Sequence, residues 1–146
     1  RAVVATAWPA AALPGKVLRR CRLAAGTENG TFFAPMLVEI DSLKRLEREV
    51  FGPVLSLISV RDANQAIEVA NSVEYGLAAS VFTRDVDEAL RFVRESESGM
   101  VHVNHGTNSE AHMPFGGVKA SGHGREKGFE ALYGFSTLKT VAIHHG

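Results

Sequence analysis

Between residues 53 and 104 the sequence alternates short β-branched runs with amphipathic stretches, and this alternation limits the possible fold more than any other feature. The runs PVLSLISV (53–60), LAASVFT (77–83) and MVHVN (100–104) read as strands. Between the first two, DANQAIEVAN (62–71) places Ala63, Ala66, Ile67 and Ala70 at the i, i+3, i+4, i+7 spacing of one helix face. Asp62 followed by Gln65 is a capping-box pattern that fixes the helix start. The device recurs at Asp85 with Glu88, and Val86, Ala89, Leu90 and Val93 mark a second apolar face running to about Glu97. Links at Arg61, 72–76, Arg84 and Gly99 are short. Strands and helices alternating through short links predict an α/β fold with a parallel open sheet and flanking helices. The run 77–83, nearly free of polar residues, is expected to be buried on both faces, as parallel strands usually are.

Around this unit, FFAPMLVEI (32–40) reads as a further strand with Pro35 near its start, and Leu43 to Val50 as a short helix. FEALYGF (129–135) reads as a brief helix, and LKTVAIHH as a final edge strand, which suits pairing with another chain or, alternatively, within its own fold. Residues 1–20 carry no assignable pattern. Two prolines, Pro9 and Pro14, break any continuous apolar region there, and without an initiating Met the start reads as a cut or truncated frame. A chain of 146 residues is expected to form one unit, and 45% apolar with 22% charged residues is the balance of a soluble globular protein. Lys plus Arg and Asp plus Glu number 16 each, which removes the electrostatic basis for a nucleic-acid or anionic-membrane partner. No apolar run approaches the roughly 20 residues that span a bilayer. The lone Cys21 excludes an internal disulfide and fits a reducing cytoplasm.

Three segments could carry chemistry. In EVFGPV (49–54), Glu49 offers two oxygens to a ribose diol and Phe51 a flat face to a heterocycle, with Gly52 allowing close approach and Pro53 stiffening the strand entry. Residue types alone favour the plainer reading, a solvated glutamate and a core phenylalanine. In MPFGGVKASGHGRE (113–126), Gly116, Gly117, Gly122 and Gly124 suggest a phosphate cradle, but the glycine order and Gly-Lys-Ser/Thr ending of nucleotide loops are missing, so a structural loop is expected. His102, His105 and His112 invite a metal. A three-residue offset on a strand puts His102 and His105 on opposite faces, and no carboxylate or thiol pattern completes a set, so no metal is expected.

Taken in order, EVFGPV, EYGLAASVFTRD (74–85), GMVHVN (99–104) and MPFGGVKASGHGRE resemble the C-terminal signatures of the aldehyde dehydrogenase superfamily, over roughly Gly30 to Ile143. The resemblance implies that residues 21–135 are part of that family's catalytic domain and that 136–146 are its terminal oligomerisation strand, hence a homo-oligomer. It implies NAD or NADP as cofactor, with Glu49 on the nicotinamide-side ribose and Phe51 placing the nicotinamide ring. Phe115 is implied to line the aldehyde pocket, Asn104 and His105 to lie near it, and Glu126 to belong to a supporting hydrogen-bond network. In that family a cysteine thiolate attacks the aldehyde, hydride leaves to the nicotinamide, and a glutamate base activates water to release the acid. Here Cys21 stands in RRCRLAAGT, outside the family's nucleophile context, so no catalytic residue is expected in this chain, which alone is expected to be inactive. The run VHVNHGTNSEAHMPFGGVKASG is most similar to bacterial members that oxidise semialdehydes. The alternative is a non-catalytic interaction module that pairs with a full-length relative.

Overall fold

The structure, a computed structural model, describes residues 15–27, 29–46 and 52–146, together with the backbone of 2–7. Its contacts divide the chain into two compact units, Arg1–Val73 and Glu74–Gly146, where length alone predicts one.

The first unit is built on a four-stranded sheet in the order β1-β4-β3-β2, from β1 (Ala2–Ala7), β2 (Lys16–Arg20), β3 (Met36–Glu39) and β4 (Val54–Val60). Strand β4 pairs parallel with β3 and antiparallel with β1, and β2 pairs antiparallel with β3. Alternation along β4 sends Val54, Ser56, Ile58 and Val60 to the buried face and leaves Leu55 and Ser59 exposed. Val38 and Ile40 join that face, and Ala66 and Val69 of α1 (Ala63–Asn71) pack against it. The predicted capping of α1 is present: the Asp62 carboxylate accepts from Gln65 N at 2.9 Å. The reciprocal arm differs, since Gln65 Oε1 accepts from Arg61 N at 2.8 Å. The helix expected at Leu43 to Val50 is a 3-10 turn over Leu43–Arg45; residues 47–51 lie outside the described residues.

Within this core Ser56 is fully buried and its Oγ has no hydrogen-bond partner among the described residues. An unpaired buried hydroxyl loses its water without recompense. Ser56→Ala is therefore expected to raise stability by about 1 kcal/mol in urea denaturation. A loss of similar size would mean that the hydroxyl has a partner in solution.

The second unit holds the remaining elements: β5 (Tyr75–Gly76), β6 (Ala78–Val81), α2 (Val86–Glu95), β7 (Met100–Val103), β8 (Val118–Lys119) and α3 (Ala131–Gly134). Strands β6 and β7 pair parallel through α2, as the alternation predicts, and β5 pairs antiparallel with β8. The α/β class and its parallel pairings are therefore present, but the strands fall into separate ladders instead of one sheet. The reason lies in β4: β1 and β3 occupy both its edges, so no edge is left for another strand.

Three expectations need correction in this unit. Residues of β6 are half-buried and its neighbours Leu77 and Phe82 exposed, because β6 has a single partner strand. Helix α2 starts at its Asp85 cap, whose Oδ1 accepts from Asp87 N and Glu88 N, but it buries Ala89 and Phe92 and exposes Val86, Leu90 and Val93. The buried stripe thus lies one position round from the predicted one. Residues 136–146 form no strand; Leu138, Val141 and Ile143 are exposed, since alternation supplies the pattern of a strand but only a neighbour supplies its hydrogen bonds. Among the described residues no helix is long and apolar enough to cross a membrane.

Candidate functional site

Of the residues singled out by sequence, Glu49 and Phe51 lie outside the described residues. The end of their segment is described. Val54 N donates to Gly52 O at 2.8 Å, a tight turn, and Pro53 O accepts from Met36 N at 2.9 Å, so the proline enters the ladder where it needs no N–H. Gly52, Pro53 and Leu55 border an open depression of about 470 Å³ that Met36 and Leu37 also line, with Arg19 its one charged side chain among the described residues. Cys21 lies at its rim, exposed, its N–H bonded to Pro35 O. A second depression of about 510 Å³ in the same unit is lined by Lys16, Glu39, Asp41 and Arg45. Its charges neutralise one another: Arg45 grips Asp41 at 2.5 and 2.7 Å, and this guanidinium holds the Asp41 carboxyl below its ordinary value.

Asn104, His105, Phe115 and Glu126 all belong to the second unit. Asn104 follows β7 with φ 58, in the left-handed region that asparagine tolerates better than most residues. Its N–H donates to Val81 O at 2.7 Å and its Oδ1 accepts from Thr83 N at 2.9 Å, tying the ends of β6 and β7 together. This turn overturns the expectation that His102 and His105 point to opposite faces. The strand stops at Val103, the chain reverses at Asn104, and the two rings meet edge to face at 4.8 Å. His102 Nε2 lies 3.3 Å from Asn108 O and 3.4 Å from Asn108 N, while His105 Nδ1 is held 2.7 Å from Gly106 O. No three His, Cys, Asp or Glu side chains converge on a metal position among the described residues.

Phe115 and Glu126 are joined by an antiparallel bridge, each N–H donating to the other's carbonyl at 2.7 Å. The Glu126 carboxylate is exposed and takes no hydrogen bond among the described residues. The glycine-rich loop between them packs instead of cradling. Ala120 N donates to Glu74 O, Gly122 N to Lys119 O, and Ser121 Oγ accepts from Gly76 N. Gly116 and Gly117 are buried, and a Cβ on Gly117 would stand 2.7 Å from Ser121 Cβ. Close backbone approach is what these glycines provide.

Two residues without an assigned role by sequence stand out in this loop. Arg125 Nη1 donates to Gly117 O at 2.7 Å and Gly124 O at 2.9 Å, closing the loop on itself. Lys127, with φ 60, extends its ammonium to Ser109 Oγ and stands 5.8 Å from the Phe115 ring centroid. No spacing rule marks either contact, because each depends on the loop's path. Phe115 is thus linked to Lys127 and, through Ser109 and Asn108, to His102 and His105, and no direct contact with Asn104 is needed.

Known proteins share this arrangement of segments. Betaine aldehyde dehydrogenase of Vibrio vulnificus is 40% identical over 123 residues, covering 83% of this chain and 25% of the relative. A crystal structure assigned to an aldehyde dehydrogenase of Burkholderia cenocepacia superposes with a TM-score of 0.82 at 42% identity, over 91% of this chain and 29% of that one. An aldehyde dehydrogenase of Mycobacterium tuberculosis, solved in complex with NAD+, gives 0.76 at 33% identity over 84% and 26%. The chain therefore spans about a quarter of the length of the curated relatives it matches. With the model of the aldehyde dehydrogenase family matching residues 10–141, nearly the whole sequence, the chain belongs to the aldehyde dehydrogenase family.

Proposed function

We propose that this chain is the C-terminal part of an NAD(P)-dependent oxidoreductase that converts an aldehyde to a carboxylic acid, through a cysteine whose thiol lies outside these 146 residues. The ordered signatures from EVFGPV to MPFGGVKASGHGRE support this reading, as does membership of the family over residues 10–141. The observation that carries it is the open, largely apolar depression bordered by Gly52 and Pro53, the residues that directly follow Phe51 in the sequence. Glu49 binds the ribose next to the nicotinamide and Phe51 packs on the ring. When bound, the nicotinamide supplies the hydride acceptor.

Phe115 forms one wall of the aldehyde pocket, Asn104 and His105 border it, and Glu126, pinned by its bridge to Phe115, belongs to the supporting hydrogen-bond network. Asn104 contributes by fixing the turn after β7, which sets where the following loop begins. The exposed residues 136–146 become an edge strand on pairing with another copy, giving a homo-oligomer. The cytoplasm is the compartment that suits the single unpaired cysteine.

The test uses a polypeptide in which this sequence is preceded by the remainder of such an enzyme. Losing a charged hydrogen-bond acceptor makes Glu49→Gln raise KM for the nicotinamide cofactor about tenfold. KM for the aldehyde changes little. An unchanged cofactor KM would remove Glu49 from the site.

A further inference from the structure

Helix α2 buries Ala89 and Phe92 and turns a second apolar face outward, where Val86, Leu90 and Val93 are 68%, 51% and 43% exposed. At 3.6 residues per turn these three fall within about 60° of arc and form one stripe along the helix. Asp87 and Arg94 lie on the same flank of that stripe, one towards each end, roughly 10 Å apart along the axis. The Asp87 carboxylate takes no hydrogen bond or ion pair among the described residues. Arg91, one turn further on, is held instead by Glu95 at 2.8 and 3.2 Å. Arg94 makes no ion pair among the described residues, its charge acting on neighbouring Glu95 through space. The stripe therefore carries opposite charges at its opposite ends, in keeping with the acidic first turn and basic last turn of α2.

We infer that this face of α2 docks against the same face of a second copy of the chain, the two helices antiparallel about a two-fold axis beside Leu90. Leu90 lies next to the midpoint between Val86 and Val93. The axis thus sets Leu90 against the partner's Leu90 and Val86 against the partner's Val93. Asp87 then meets the partner's Arg94, and symmetry repeats the pair at the other end. The helix dipoles run opposed, which favours the arrangement further. A parallel pairing would bring like charges together at both ends. This surface is separate from residues 136–146, and the inference needs neither the cofactor nor the aldehyde assignments. A helix face about 15 Å long and 10 Å wide covers much less than the roughly 800 Å² per partner of stable complexes. Association is therefore weak, with a dissociation constant on the order of 0.1 mM.

Sedimentation equilibrium of the 146-residue chain, over concentrations spanning that constant, is expected to show monomer and dimer. Leu90→Gln weakens association about tenfold, since both copies lose the central contact. Asp87→Arg or Arg94→Asp alone weakens it about fivefold, because an attraction becomes a repulsion at both ends of the interface. The two reversals together restore association to within about twofold of the parent, which separates charge pairing from any disturbance of the helix. In a Cys21→Ser background, Leu90→Cys gives a disulfide-linked dimer under mild oxidation, and Gly106→Cys, in an exposed loop, does not. A chain that stays monomeric, or a double reversal no better than the single ones, overturns the inference. Dimers that persist unchanged in Leu90→Gln, as pairing through residues 136–146 would give, overturn it as well.

Discussion

Incubated with NAD or NADP and any aldehyde, the purified chain is expected to form no reduced nicotinamide. The loss relative to a complete enzyme is total, on the order of the 10⁶-fold or greater acceleration that enzymes supply. Turnover requires an attacking thiolate, a base and a complete cofactor cleft held together. The only thiol here is Cys21, exposed at the rim of the depression beside Gly52 and Pro53, with no acid or base hydrogen-bonded to it among the described residues. The cofactor contacts proposed for Glu49 and Phe51 would engage only one end of a long dinucleotide, so micromolar binding by calorimetry is not expected either. Cys21→Ala makes the test sharper. Activity that vanishes in that variant would assign Cys21 as nucleophile and contradict this account.

Gly99→Ala is expected to destabilise the second unit by about 3 kcal/mol, the upper range for a forced overlap. A Cβ at Gly99 would strike Gly116 O and stand 2.7 Å from Gly117 Cα and 2.8 Å from Gly116 C, all backbone. Backbone cannot rotate aside as the end of a side chain can. The same contact positions the loop that carries Phe115 and Glu126, so their mutual bridge opens with it. Urea denaturation gives the magnitude, and amide exchange at Phe115 and Glu126 reports the bridge. Gly106→Ala is the control: nothing lies within 4 Å of its Cβ, and the change should stay within about 0.5 kcal/mol.

What the sequence disclosed follows the range of the interactions involved. Helices α1 and α2 and their Asp62 and Asp85 caps were legible because capping and helical periodicity are decided within a few residues. The parallel pairing of β6 with β7 was legible because a short strand-helix-strand connection leaves few other choices. Division into two units was not, since it depends on long-range contacts that no local pattern records. The terminal alternation around Val141 and Ile143 marks a strand in composition only, because the partner it needs is nonlocal. The facing of His102 and His105 was misread because strand geometry ends one residue earlier, at the left-handed Asn104. Lys127 over Phe115 had no signature at all: a lysine with positive φ is unusual and no spacing foretells it. The functional reading came from several ordered segments together, since each taken singly favoured a structural role.

The most direct measurement is a crystal structure, with NAD bound, of a polypeptide in which this sequence is preceded by the remainder of such an enzyme. The Glu49 carboxylate is predicted within hydrogen-bonding distance of the hydroxyls of the nicotinamide ribose, with the Phe51 ring against the nicotinamide. Both side chains turned away from the dinucleotide, with other residues holding that end, would contradict the account.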